Sequence, residues 1–116
     1  MPDNHPSPIS WADFEKLEIR TGTIIRAEPF PEARKPAYQL LIDFGTCGIK
    51  RSSAQITDHY QPGILIGKQV VAVINFPVKR IAGFSSECLV LGAVEATGEV
   101  VLLSPDKTVQ NGLRIA

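Results

Sequence analysis

Between residues 19 and 94 the chain is cut by glycine and proline into short runs of strand-forming residues, none long enough for a large sheet. Residues 19–28 hold five β-branched side chains (Ile19, Thr21, Thr23, Ile24 and Ile25) around Gly22. A glycine inside a strand marks a bulge or a sharp bend of the kind a barrel needs. Pro29, Pro31 and Pro36 punctuate the next loop. Tyr38, Leu40, Ile42 and Phe44 then recur at every second position, the period of a strand with one buried face. Residues 45–48 (Gly-Thr-Cys-Gly) read as a turn and 49–54 as a more polar returning strand. Residues 69–76 read as a strand buried on both faces, and 86–94 as a fifth strand. The connector 55–67 contains Pro62, Gly63 and Gly67 and has room for one helical turn. Residues 100–103 and 113–115 are short closing segments.

Five short strands, with the long connection between the third and fourth, predict an all-β domain. The expected form is a small closed barrel of the five-stranded oligonucleotide/oligosaccharide-binding (OB) type, with a small sandwich as the alternative. A length of 116 residues leaves room for one domain. Residues 1–9, with three prolines, read as a flexible arm, and 10–116 as the domain. Ser10 opens a short helix of about two turns, with Asp13 placed for a capping box. Trp11, Phe14 and Leu17 form one apolar stripe on it. That stripe packs either on its own domain or on a second subunit.

With 44% hydrophobic and 21% charged residues, the chain is neither disordered nor low-complexity. Its longest apolar runs, such as residues 70–74, fall far short of the roughly 20 residues that span a bilayer. The first residues carry no basic and apolar leader, so the expected location is cytoplasmic, without membrane insertion. Net charge is zero, which argues against nucleic-acid binding by bulk charge. The charges are segregated, however. Residues 1–18 hold four acids and one base, whereas 19–51 hold six bases and three acids. A local basic face is therefore available.

Catalytic chemistry finds little support. His5 lies in the arm and His59 in the connector; neither is set in a nucleophile–base motif, and no phosphate loop or HExxH is present. Cys47 and Cys88 stand alone without zinc-site spacing, so no metal or cofactor is expected, and in a reducing compartment both should be free thiols. The chain reads as a binding protein, not an enzyme. The informative stretch is 75–87, which carries Asn75, Phe76, Lys79, Arg80, Phe84, Ser86 and Glu87 between two predicted strands. An amide both donates and accepts, the two cations suit phosphates or carboxylates, and a ring stacks on a base or takes an apolar side chain. A solvated loop whose two rings plug the barrel end is the plainer reading of the same residues.

Three separate blocks carry a resemblance. Residues 14–24, residues 31–33 followed by 42–45, and Asn75…Lys79-Arg80…Gly83…Ser86-Glu87 resemble the tRNA-binding OB domain found in some methionyl- and phenylalanyl-tRNA synthetases and in free-standing proteins. Residues 30–34, 52–57 and 75–77 further resemble the short CsaA-type bacterial export chaperones of that family. The resemblance implies a homodimer that binds unfolded or export-destined polypeptides without ATP, or tRNA on the same barrel face. It implies a site of Arg20, Ser53, Asn75, Phe76, Lys79, Arg80, Phe84, Ser86 and Glu87, and a dimer interface of Trp11, Phe14 and Leu17. Two positions depart from the tRNA-binding pattern: Ala54 and the pair Cys88-Leu89 replace residues that are usually glycine or Gly-Met. Each lost glycine adds a side chain where a nucleic acid would approach.

Overall fold

The computed structural model describes residues 7–116, so most of the expected N-terminal arm lies outside the described residues. Helix α1 spans Trp11–Glu15 and is capped as anticipated. The Asp13 N–H donates to Ser10 Oγ at 3.0 Å and the Ser10 N–H to Asp13 Oδ2 at 3.4 Å. It is shorter than the two turns expected, and Leu17 falls beyond its end. Trp11 is 85% exposed and does not pack on its own domain, whereas Leu17 is 37% exposed and Phe14 half-buried, so these two are partly covered by it.

The strands are β1 (Ile19–Pro29), β2 (Tyr38–Asp43), β3 (Ile49–Ala54), β4 (Gln69–Val73), β5 (Lys79–Ile81), β6 (Phe84–Ser86), β7 (Leu89–Val90), β8 (Gly92–Val94) and β9 (Val100–Leu102). A one-turn helix α2 (Pro62–Leu65) lies in the connector. The main sheet is antiparallel throughout, in the order β3-β2-β1-β4-β7. β1 is long enough to pair with β2 by its second half and β4 by its first, which curls the sheet. The two outer edges approach each other where residues 86–88 run beside β3. The Glu87 N–H donates to the Arg51 carbonyl at 2.8 Å, and Ser52 Oγ donates to the Cys88 carbonyl at 2.8 Å. The result is a nearly closed five-stranded OB-type barrel. Its core holds Ile24, Leu40, Ile42, Phe44, Leu65, Val70, Ala72 and Leu102.

Several local expectations are corrected. Gly22 is not the bulge; the register of β1 on β2 shifts three residues later, between Ile24 and Arg26. Gly22 instead permits close packing, because a Cβ there would lie 2.7 Å from the Phe44 ring and 2.8 Å from Ile42 Cγ2. The strand expected over 69–76 ends at Val73, and its buried positions alternate before closing on Val73 instead of filling both faces. Residues 75–87 fold into a hairpin, β5–β6, in place of a plain loop. The single strand expected over 86–94 is three pieces, because the chain changes partner from β5 to β3, then to β4, then to β9. The C-terminal segment is a strap along β1. Gly112 and Ile115 N–H groups donate to Thr21 and Ile19 carbonyls, with one isolated bridge, Arg20 to Arg114.

Candidate ligand groove

The hairpin β5–β6 turns on Ala82 and Gly83, both at positive φ (46° and 82°). That is the requirement of a two-residue I′ turn, and it matches the right-handed twist of the flanking strands. Directly opposed residues of an antiparallel pair share a face. The pairs Lys79–Ser86 and Ile81–Phe84 therefore point one way, and Arg80–Ser85 the other. The inner face docks on β3: the Ser53 N–H donates to Ser86 Oγ at 3.0 Å. Phe84 is half-buried, edge-on to buried Phe30 at 5.4 Å between ring centroids, with the Arg51 guanidinium 5.8 Å from its ring centre. On the outer face Arg80 donates to Ser85 Oγ at 2.5 Å.

A groove of about 580 Å³ opens between the end of β3, the hairpin β5–β6 and strand β8. Ser53, Phe76, Lys79, Ser86 and Glu87 line it, so the fold gathers five of the nine candidate site residues. Its walls are apolar, with Ile56, Ile81, Leu89, Val94 and Val100 among them. Phe76 is 47% exposed at the rim. Sequence reasoning missed Ile56, Val94 and Val100, which come from segments distant from the signature hairpin. The available signal was the run 94–100, two valines bracketing a glycine-containing turn in the manner of a hairpin.

The other four candidates lie elsewhere or are engaged. Arg80 faces away on the outer face, and Phe84, on the inner face, packs against Phe30 and is not among the residues that line the groove. Arg20 is half-buried, donating to the Gly112 carbonyl at 3.1 Å and Glu18 Oε1 at 3.0 Å, and its pairing with Glu18 raises its already high pKa. It holds the C-terminal strap to β1. Asn75 stitches the chain entering β1: its Nδ2 donates to the Lys16 carbonyl at 2.8 Å, and its Oδ1 accepts the Glu18 N–H at 2.9 Å. Within the groove, Glu87 is held below the usual carboxylate range, first by the main-chain N–H of Arg51. Among the described residues Lys79 is the one cation that lines the groove, and the Glu87 carboxylate there is already bonded to Arg51.

A second cavity, of about 550 Å³, lies beneath the C-terminal strap and is lined by polar groups that include Thr23, Gln69 and Asn111. It contains no candidate residue. Among the described residues no three His, Cys, Asp or Glu side chains are grouped to hold a metal ion, and no helix is long and apolar enough to cross a membrane. Cys47 and Cys88 are free thiols.

Comparison with known proteins agrees with this architecture. Residues 19–114 match the model of the tRNA binding domain family. The chain superimposes on the chaperone CsaA of Bacillus anthracis with a TM-score of 0.90 and 55% identity, covering 95% of this chain and all of that one. For the CsaA chaperone protein of Picrophilus torridus the values are 0.87, 51%, 94% and all of that chain. The methionine–tRNA ligase of Porphyromonas gingivalis is 36% identical over 107 residues, or 92% of this chain. The chain spans 15% of that ligase's length.

Proposed function

The chain belongs to the tRNA-binding domain family, and from that premise we propose that it is an ATP-independent chaperone of the cytoplasm. It binds unfolded or export-destined polypeptides as a homodimer, and it acts by binding alone, without catalysis. The observation that carries this reading is the groove itself. An apolar trough with one lysine at its side suits hydrophobic side chains with an occasional acidic neighbour. A polynucleotide backbone would need several unpaired cations in line. Arg20 and Arg51 are already engaged with Glu18 and Glu87. The likeness to two chaperones at more than half identity supports the same reading.

Dimerisation is supported by apolar side chains left uncovered near both ends of the described chain: Trp11, Leu17 and Leu113. Large apolar side chains exposed on a terminal helix and strap are candidates for cover by a partner. Sedimentation of Trp11→Ala with Phe14→Ala tests it: a weakened dimer is the expected result, and a double variant still dimeric at sub-micromolar concentration removes this interface.

A second reading, tRNA binding, is favoured by the exposed cations Lys79 and Arg80 on the family's signature hairpin. Competition separates the two. A fluorescein-labelled, reduced and carboxymethylated polypeptide is titrated with the protein, with and without tRNA, at two salt concentrations. The chaperone reading expects polypeptide affinity nearly independent of salt and no displacement by tRNA at physiological salt. Displacement at that salt, with affinity for tRNA falling steeply as salt rises, selects the tRNA reading.

A further inference from the structure

Strand β8 forms a wall of the groove, and one of its two edges has no neighbouring strand among the described residues. Its pairing with β9 reveals which main-chain groups are open. The Glu95 N–H donates to the Glu99 carbonyl and the Leu103 N–H to the Leu91 carbonyl. The register Val94–Val100, Ala93–Val101 and Gly92–Leu102 lies between these two bonded pairs. In an antiparallel ladder bonded and non-bonded pairs alternate. Ala93 therefore spends its N–H and C=O on β9, whereas Gly92 and Val94 direct theirs away from it. The hydrogen bond from the Leu102 N–H to Tyr60 Oη at 3.0 Å confirms this phase on the opposite side of β9.

Both open residues line the groove. Gly92 lines it with bare main chain; a Cβ at that position would collide with Val100. Val94 is 72% exposed. Exposed strand edges are normally blunted by lysine, proline or a bulge. Residues 92–94 carry none of these, although the edge is only three residues long, too short to template indefinite self-association.

We infer that the open edge of β8 accepts an extended segment of the bound polypeptide as an added strand. Main-chain bonds form at Gly92 and Val94, and alternate side chains of the segment enter the groove toward Ile81 and Val100. The inference rests on the polypeptide reading above and names how that groove binds. Donors and acceptors at strand spacing complement an extended main chain of almost any sequence, which is what a chaperone with many clients requires. A nucleic acid offers no such ladder.

The test uses a substitution that removes one open donor and nothing else from the ladder. Val94→Pro deletes the outward N–H but leaves the Ala93 and Glu95 bonds to β9 in place, and Val94→Ala keeps the N–H while removing the groove-lining side chain, so it measures that side chain's own share. The probe is a fluorescein-labelled ten-residue peptide of alternating valine and threonine, together with versions N-methylated at every second residue in each of the two phases. Expected are a loss in affinity for Val94→Pro about fivefold or more beyond that of Val94→Ala, and a comparable loss for one methylated phase only. The methylated series runs on the unaltered protein, so it is decisive even if Val94→Pro folds poorly. If the unmodified peptide binds but both methylated phases bind equally well, the edge inference is overturned and the groove reading stands. Should the unaltered protein bind neither this peptide nor unfolded polypeptide, both fall. Equal losses of tRNA and peptide affinity in Val94→Pro would also overturn the inference.

Discussion

Glu87 and Arg51 are joined by three hydrogen bonds across the seam of the barrel. The Arg51 main-chain N–H and Nε–H donate to Glu87 Oε1 at 2.9 and 3.3 Å, and the Glu87 N–H donates to the Arg51 carbonyl at 2.8 Å. One residue of the 86–88 segment thus supplies with its side chain the acceptor that a regular strand would supply with its backbone. The neighbouring Ser86 does the same for the Ser53 N–H. The seam lines the groove floor, so barrel closure and the shape of the site depend on the same carboxylate.

Glu87→Ala should cost about 1 kcal/mol in urea unfolding at pH 7, the worth of a partly exposed hydrogen bond to a charged group. The pH dependence has a definite sign. The folded pKa of Glu87 lies below its ordinary 4.5, so its contribution is present above that value and is lost as pH falls through the lowered folded pKa. Glu87→Gln should remove this component of acid destabilisation; an unchanged acid limb in the variant would contradict the assignment.

His59 Nε2 stands 2.5 Å from Glu95 Oε1 and clips the connector to the β8–β9 hairpin. That hydrogen bond raises the His59 pKa above its ordinary 6.5, reinforced by nearby Glu99 and Asp58 and opposed by burial. The stabilisation is full below 6.5 and disappears as pH rises through the folded pKa. Titration of the ring protons by NMR should give a raised midpoint that drops toward 6.5 in Glu95→Gln. Identical midpoints in the two proteins would mean that the clip does not form in solution.

Gly22→Ala should destabilise the fold by about 1–3 kcal/mol, because the new methyl meets the fully buried Phe44 ring and Ile42. Phe44→Leu in the same chain should recover part of the loss, since a smaller side chain yields space. Thermal or urea melts of the two single variants and the double variant provide the measurement.

Burial pushes the Cys88 thiol up to about 11. It should resist alkylation in the native protein at pH 8, while half-buried Cys47 reacts first. Mass spectrometry of the modified peptides over time separates the two sites, and faster labelling of Cys88 would place it outside the core.

The barrel was legible where one strand keeps one partner set and one period. Tyr38, Leu40, Ile42 and Phe44 alternate in the sequence and are all buried in the structure. It was illegible at 86–94, where Glu87, Leu89 and Ala93 each face a different neighbour, and no local pattern records a change of partner. The site shows the same divide. Phe76, Lys79 and Ser86 were visible as a cluster and do line one groove. Asn75 and Arg20 carry the same kinds of polar group, yet Asn75 is spent on Lys16 and Glu18, 59 and 57 positions away, and Arg20 on Gly112, 92 positions away. Composition identifies a group able to bind; only the long-range register shows whether it is already occupied.

The most direct measurement is an amide chemical-shift map of the protein during titration with unfolded polypeptide. Docking in the groove predicts that the largest perturbations fall at Ser53–Ile56, Phe76, Lys79–Ile81 and Gly92–Val94, and that Thr23, Gln69 and Asn111 beneath the C-terminal strap stay unmoved. Perturbations centred on the strap cavity, or confined to α1, would contradict it.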